Sequence, residues 1–187
     1  MSSRREQLLD AAVNVLALRG ARELTHRAVD HEADLPAGST SNVFRTRASL
    51  IDGILQHLID HELANLPPVL APGDDAIVDE RFLLMLSSQA ITHALGSGRR
   101  LTLARRALFL DATQDAAASE RLARSSQFWW TTLAALLQRA GAPDPKRRAR
   151  LLLAYIDGVI ADQLARPEPH FDAATAIRPA LRGILAD

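Results

Sequence analysis

Apolar side chains recur three or four residues apart along almost the whole of this chain, and no stretch of comparable length alternates with a period of two. Spacing of that kind puts side chains on one face of a helix, whereas a half-buried strand needs alternation. The pattern leaves no segment for a sheet and predicts an all-α fold. Residues 4–19 carry Leu8, Ala12 and Leu16 at intervals of four, widened by Leu9 and Val13. Residues 47–66 carry Leu50, Ile54 and Leu58 in the same way, and 76–95 hold the apolar centre "FLLML". Further helices are expected over about 99–114, 118–140 and 145–166, and from Asp172 to about Leu185. Breaks fall at Gly20, at Leu35–Pro36, at "LPPVLAPGDD" (66–75), at "GSG" (96–98), at "GAPDP" and at "RPEP". Proline lacks the N–H that a helix interior needs, and glycine accepts the left-handed backbone of a helix end. With two short helices before residue 44, the count is about nine. Apolar residues are 48% of the 187 but aromatics only 4%, so the core must be Leu, Ile, Val and Ala in closely packed helices.

Several function classes drop out. Basic and acidic residues balance at 22 each, so no global field calls for nucleic acid or membrane. Twenty-one of the basic residues are Arg, with Lys146 the exception, a bias read first as genomic base composition. Without cysteine there is no disulfide and no thiolate chemistry, which fits a cytoplasmic location. The N-terminus carries Glu6 and Asp10 ahead of a short apolar run and lacks a secretory core. No apolar run approaches the roughly 20 residues that span a bilayer. There is no G-x-S-x-G elbow, no phosphate-cradling glycine loop and no readable Ser-His-Asp arrangement. The expectation is therefore no catalytic residue, no cofactor and no metal.

One stretch resists assignment to a core. "PAGSTSN", Pro36 to Asn42, has nothing large and apolar to bury. Thr25 is a plausible N-cap for "HRAVDHEA" just before it, which would bury Ala28, Val29 and Ala33. The residue preceding a proline avoids the helical conformation, so Leu35 forces a break, and Pro36 suits the first position of a new short helix ending near Asn42 or Val43. Two short helices joined by a tight turn, the second exposed and small-sided, form a helix-turn-helix arrangement. Small residues let the backbone approach DNA closely, and Ser or Asn can donate and accept at base edges. A unit of about 45 residues cannot bury much alone and must lean on the fourth helix.

Residues 4–54 resemble the N-terminal region of TetR/AcrR-type transcriptional regulators, through "LLDAAVNVLALRG" and "LTHRAVDHEADLPAGSTSNVFRTRASLI". The family's leucine–threonine pair is Leu24 and Thr25, its branched residue Val29 and its alanine Ala33. Gly38 and Ser39 match the glycine and small hydroxyl of its recognition helix, Phe44 its closing phenylalanine, and Arg47 and Leu50 the opening of its fourth helix. The sequence departs from the family at Asp34, where glycine is usual, and at Ser41 and Val43, where aromatics that touch the DNA backbone are common. The resemblance implies a ligand-responsive regulator, a repressor released from a double-stranded DNA operator. Thr25, Arg27, Arg45 and Arg47 are its candidate phosphate contacts. Ala37, Ser39 and Asn42 are candidate base readers in a recognition segment that includes Gly38 and Ser41. Leu35, Thr40 and Phe44 are expected to face inward. A helical small-molecule carrier or enzyme with an incidental N-terminal unit is the alternative.

The expected division is a DNA-binding domain over 1–47 and an effector-binding and dimerisation domain over 48–187. On helix 76–95, Phe82, Gln89 and His93 share one face with Leu86, and two polar groups on an apolar face need partners if buried. Either Gln89 and His93 sit toward the helix end and are partly wet, or they line, with Phe82, Phe109, Trp129 and Tyr155, a site for a small apolar or aromatic effector. Leu153, Ile156, Ile160 and Leu164 form one late stripe, and Ile177, Leu181 and Ile184 another, and the spacing by itself suits the core of a single chain for some of them. The resemblance implies that these two helices pair with their twins in a homodimer, as reading two half-sites requires. "HLIDHE" sets His57 and His61 four apart, a spacing metal ligands can have. Glu62 follows both histidines, however, and the sequence offers no evident third ligand, so the pair is read as a half-exposed flank.

Overall fold

A computed structural model describes residues 3–64, 77–113 and 116–186. Among these residues there are helices and no strand. The order is α1 (Arg4–Arg19), a single 3-10 turn (Ala21–Glu23), α2 (His26–Glu32), α3 (Ser39–Val43), α4 (Arg47–Ala64), α5 (Glu80–Leu95), α6 (Arg99–Ala112), α7 (Ala116–Arg139), α8 (Pro145–Ala165) and α9 (Ala173–Leu185). The proline-rich break expected at 66–75 lies outside the described residues. The chain forms two compact units, one from residues 1–67 and 100–125, the other from 68–99 and 126–187.

In the first unit, α1 begins with a capping box in which Ser3 and Glu6 satisfy each other's backbone N–H. The stripe expected on α1 is its core face: Leu8, Leu9, Ala12, Val13 and Leu16 are essentially inaccessible. They pack with Leu24, Val29 and the fully buried Leu50, Ile54 and Leu58 of α4. Each such leucine or isoleucine contributes about 1.5–3 kcal/mol relative to exposure. The small N-terminal unit thus leans on α4, and it also takes Ala104 and Leu108 of α6 into the same core. Gly53 makes the fit possible, because a Cβ there would lie 2.6 Å from Cε1 of Phe44.

In the second unit, α5, α8 and α9 pack on one another around Leu83, Ile91, Leu137, Leu152, Ile177 and Leu181. Helix α5 starts at Glu80 and not at residue 76, because the Asp79 side chain accepts the Phe82 N–H at 2.8 Å and caps the helix there. Asp172 caps α9 in the same way through Thr175 N–H.

The two late stripes need correcting. Ile177 and Leu181 are fully buried, and Ile160 and Ile184 nearly so, inside a single chain. Leu153, Ile156 and Leu164 are partly buried against the same cluster. The core around α5 takes up Ile160, Ile177, Leu181 and Ile184 and leaves Leu153, Ile156 and Leu164 partly exposed. What faces outward is different: Leu151 (54% exposed), Ala154, Tyr155 and Gly158 on α8, and Thr175, Pro179 and Gly183 on α9.

Candidate functional site

Helix α3 has five residues, too few to be held by its own hydrogen bonds. The buried carboxylate of Asp30 on α2, 4% exposed, holds it instead. Asp30 Oδ2 accepts from Gly38 N–H at 2.8 Å, and Oδ1 accepts from Thr40 N–H at 2.7 Å and the Thr40 hydroxyl at 2.5 Å. Burial raises this carboxyl's pKa, but the three donors and the charge of His26 outweigh that, so Asp30 ionises below its ordinary value. The turn between the helices depends on Asp34, which takes the left-handed conformation at φ 53°. Leu35 N–H then returns to Asp30 O at 2.9 Å.

This anchoring decides which sequence candidates face out. Pro36 does not start the helix. Residues 36–38 form a turn closed by Ser39 N–H to Pro36 O at 3.1 Å, with Gly38 at φ 94°. Ser39 is 8% exposed and its hydroxyl donates to Pro36 O at 2.7 Å, which corrects its assignment as a base reader. Ala37, Ser41, Asn42 and Val43 are exposed, while Thr40 and Phe44 are buried and Leu35 half-buried, as expected. Thr25 caps α2 by accepting Ala28 N–H at 3.1 Å, leaving its own O–H to donate outward. Arg27 and Arg45 are exposed. Arg47 is turned into its own unit. Its guanidinium donates to the carbonyls of Leu24 and Ala21 and pairs with Asp111 at 3.4 Å, so it is a tie between segments more than a phosphate contact.

Sequence reasoning missed Asp30 and Gly53. A signal for Asp30 was present: it lies beside Val29 and three residues before Ala33, on the face of α2 that must be buried. A carboxylate there requires several donors.

The six effector-site candidates scatter. Gln89 is exposed. His93 closes its own helix, with Nδ1 at 3.0 Å from Ser97 Oγ and its ring filling the space a Cβ on Gly98 would need. Phe109 is 57% exposed and belongs to the first unit, the other five to the second. Phe82 and Trp129 are half-buried, and Trp129 Nε1 is inaccessible and has no hydrogen-bond partner among the described residues. Tyr155 donates to Ala176 O at 2.9 Å and is the one candidate lining an open cleft of about 840 Å³ between α8 and α9. Asp162, Glu168, His170 and Phe171 line it as well.

Residues 78–187 match the family described as tetracyclin repressor-like, C-terminal domain. The chain belongs to the tetracyclin repressor-like family. Over 90 residues it is 32% identical to the HTH-type transcriptional repressor KstR2 of Rhodococcus jostii (strain RHA1), covering 48% of this chain and 44% of that one. The chain thus spans less than half the length of this curated relative. A crystal structure of a transcriptional regulator from Rhodococcus sp. Rha1 superposes with a TM-score of 0.81 at 27% identity, over 98% of this chain and 96% of that one. The multidrug binding protein EbrR, solved with ethidium, matches with a TM-score of 0.71 at 26% identity, over 99% and 100% of the two chains. Ser41 and Val43, where the resemblance led to aromatics being expected, stand exposed, and Asp34 takes a left-handed backbone.

Proposed function

We propose that the protein is a DNA-binding transcriptional regulator, a repressor that leaves its operator when a small effector binds. The observation that carries this reading is the second helix of the helix-turn-helix. It is held from behind by Asp30, and together with the turn before it presents Ala37, Ser41 and Asn42 outward with nothing large in the way. Asn42 reads a base edge, most simply adenine, by paired hydrogen bonds. Thr25, Arg27 and Arg45 hold phosphates and set register without carrying sequence information. Gly38 allows the turn to approach the duplex closely. No helix among the described residues is long and apolar enough to cross a membrane.

Two half-sites call for a homodimer. The outward faces of α8 and α9, with Leu151, Ala154, Gly158, Pro179 and Gly183, supply small residues that let helices approach closely. The effector is apolar or aromatic with a hydrogen-bonding group. Support for it comes from Trp129 Nε1, which has no hydrogen-bond partner among the described residues, and from the ethidium in the EbrR structure. Effector and operator oppose each other through the spacing of the two recognition helices, with a coupling of about 1–3 kcal/mol that must be reciprocal.

Selection of bound duplexes from a random pool tests the reading. A two-half-site motif is the expected result, bound with a steep salt dependence. Asn42→Ala should cost about 1–3 kcal/mol at one base pair and relax preference there. Arg27→Ala should weaken all sequences alike and lower the salt slope by about one. A pool that yields no enriched motif would overturn the assignment.

A further inference from the structure

Helices α1 and α4 bring Asp10 together with His57 and His61, which lie 47 and 51 residues further along the sequence. His57 and His61 lie one turn apart on α4, with ring centroids 4.5 Å apart. Asp10 of α1 faces them, with Oδ1 at 3.2 Å from His57 Nε2. One ligand atom from each of the three lies within 4.8 Å of the others. Asp10 stands where a third ligand, which "HLIDHE" lacks in the sequence, would be needed.

The geometry suits one class of ion. Around a tetrahedral zinc with bonds of about 2.1 Å, neighbouring ligand atoms stand about 3.4 Å apart. The Asp10–His57 pair already has that spacing. His61 is half-exposed, and its ring would turn from its edge contact with His57 to close the remaining distance. His57, 9% exposed, is the fixed member. Two imidazoles and one carboxylate leave a fourth position for water, and nitrogen ligands favour zinc over magnesium or calcium. In the neutral ring, the contact with Asp10 requires a proton on His57 Nε2. The cation takes the place of that proton and is shared by both groups, while Nδ1 carries the ring's proton. One charge opposes binding: Arg100 Nη2 is 3.7 Å from Asp10 Oδ1. Arg100 has another anchor in Asn14 Oδ1 at 2.7 Å, so it can give up the carboxylate.

We propose that Asp10, His57 and His61 form a binding site for a zinc-class divalent cation that pins α1 to α4 beneath the helix-turn-helix. This site is independent of the operator and the effector, and it is tested without either. The tag-free full chain is stripped with a chelator and titrated with Co²⁺, which reports tetrahedral ligation through its visible absorption, and then with Zn²⁺. The expected result is one Co²⁺ per chain with a tetrahedral spectrum, displaced by Zn²⁺, and a higher melting temperature in Zn²⁺. His61→Ala and Asp10→Asn should each weaken binding by more than about tenfold, the loss that even a residue supporting a metal ligand brings. Arg100→Ala should tighten it, and His170→Ala, in the other unit, should leave it unchanged. Asp10 and His61 are both solvent-reached, so the variants are expected to fold, and circular dichroism checks this. Failure of the wild-type chain to bind, or wild-type affinity in both His61→Ala and Asp10→Asn, overturns the proposal.

Discussion

Helix α3 and helix α9 both sit where a sequence reading expects a working surface, but they are held by opposite means. Helix α9 has thirteen residues and one apolar face, and burial of Ile177, Leu181 and Ile184 keeps it in place. Helix α3 has five residues and buries only Ser39 and Thr40. Its position comes from a single buried carboxylate in direct contact with it and eight to ten residues away in sequence. A long amphipathic helix can be attached by area, whereas a five-residue helix with a bare outward side has little area to offer and needs directional hydrogen bonds. The first kind of attachment tolerates sliding. The second fixes the helix in register, which base reading requires.

The sharpest way to break this comparison is in α9. Leu181→Ala should cost about 3–4 kcal/mol of unfolding free energy, because it leaves a cavity in a closed core. Urea unfolding measures it. A cost under about 1 kcal/mol would mean the stripe is not core in solution. The companion variant Leu151→Glu, on the outward face, should leave stability nearly unchanged and shift sedimentation from dimer to monomer.

Asp30→Ala is the matching test in α3. It strands the Gly38 and Thr40 N–H groups and the Thr40 hydroxyl, and should cost about 3 kcal/mol, from a charged acceptor lost and donors left unsatisfied. DNA binding should be lost together with stability. Asp30→Asn keeps an acceptor and should cost less.

Gly53→Ala tests the packing that backs the recognition unit. The added Cβ meets the Phe44 ring, which must shift, and the cost should be about 1–3 kcal/mol. Its unfolding midpoint in urea, compared with wild type, reads this out.

The smallest effect is the dependence on pH. Asp30 has a folded pKa below its ordinary value, so its stabilisation is fully present above that ordinary value, about 3.9. It is lost as pH falls through the lower, folded value. Wild type and Asp30→Asn should therefore differ by a constant amount near neutrality and converge only below about pH 4. Convergence between pH 5 and 6 would show that Asp30 is not held as the carboxylate.

The sequence alone determined the fold class, the helix order and most helix ends, because these follow from local chemistry. A Ser3–Glu6 box, a Thr25 cap and the glycines and prolines act within a few residues of themselves. It also determined that residues 36–42 add no large apolar side chain to a core, since "PAGSTSN" contains none. Which side of a stripe faces what was decided only by the tertiary structure. Ile160 and Leu181 have the spacing of an interface and of a core alike, and only the presence of α5 against them settles which. Arg47 and Ser39 are chemically fit to meet DNA, yet the carbonyls of Leu24, Ala21 and Pro36 come within reach first. Asp10 and His57 meet for the same reason. Periodicity reports that a face is buried or bare, but partners distant in the chain are chosen by packing, and a single sequence carries no record of distance.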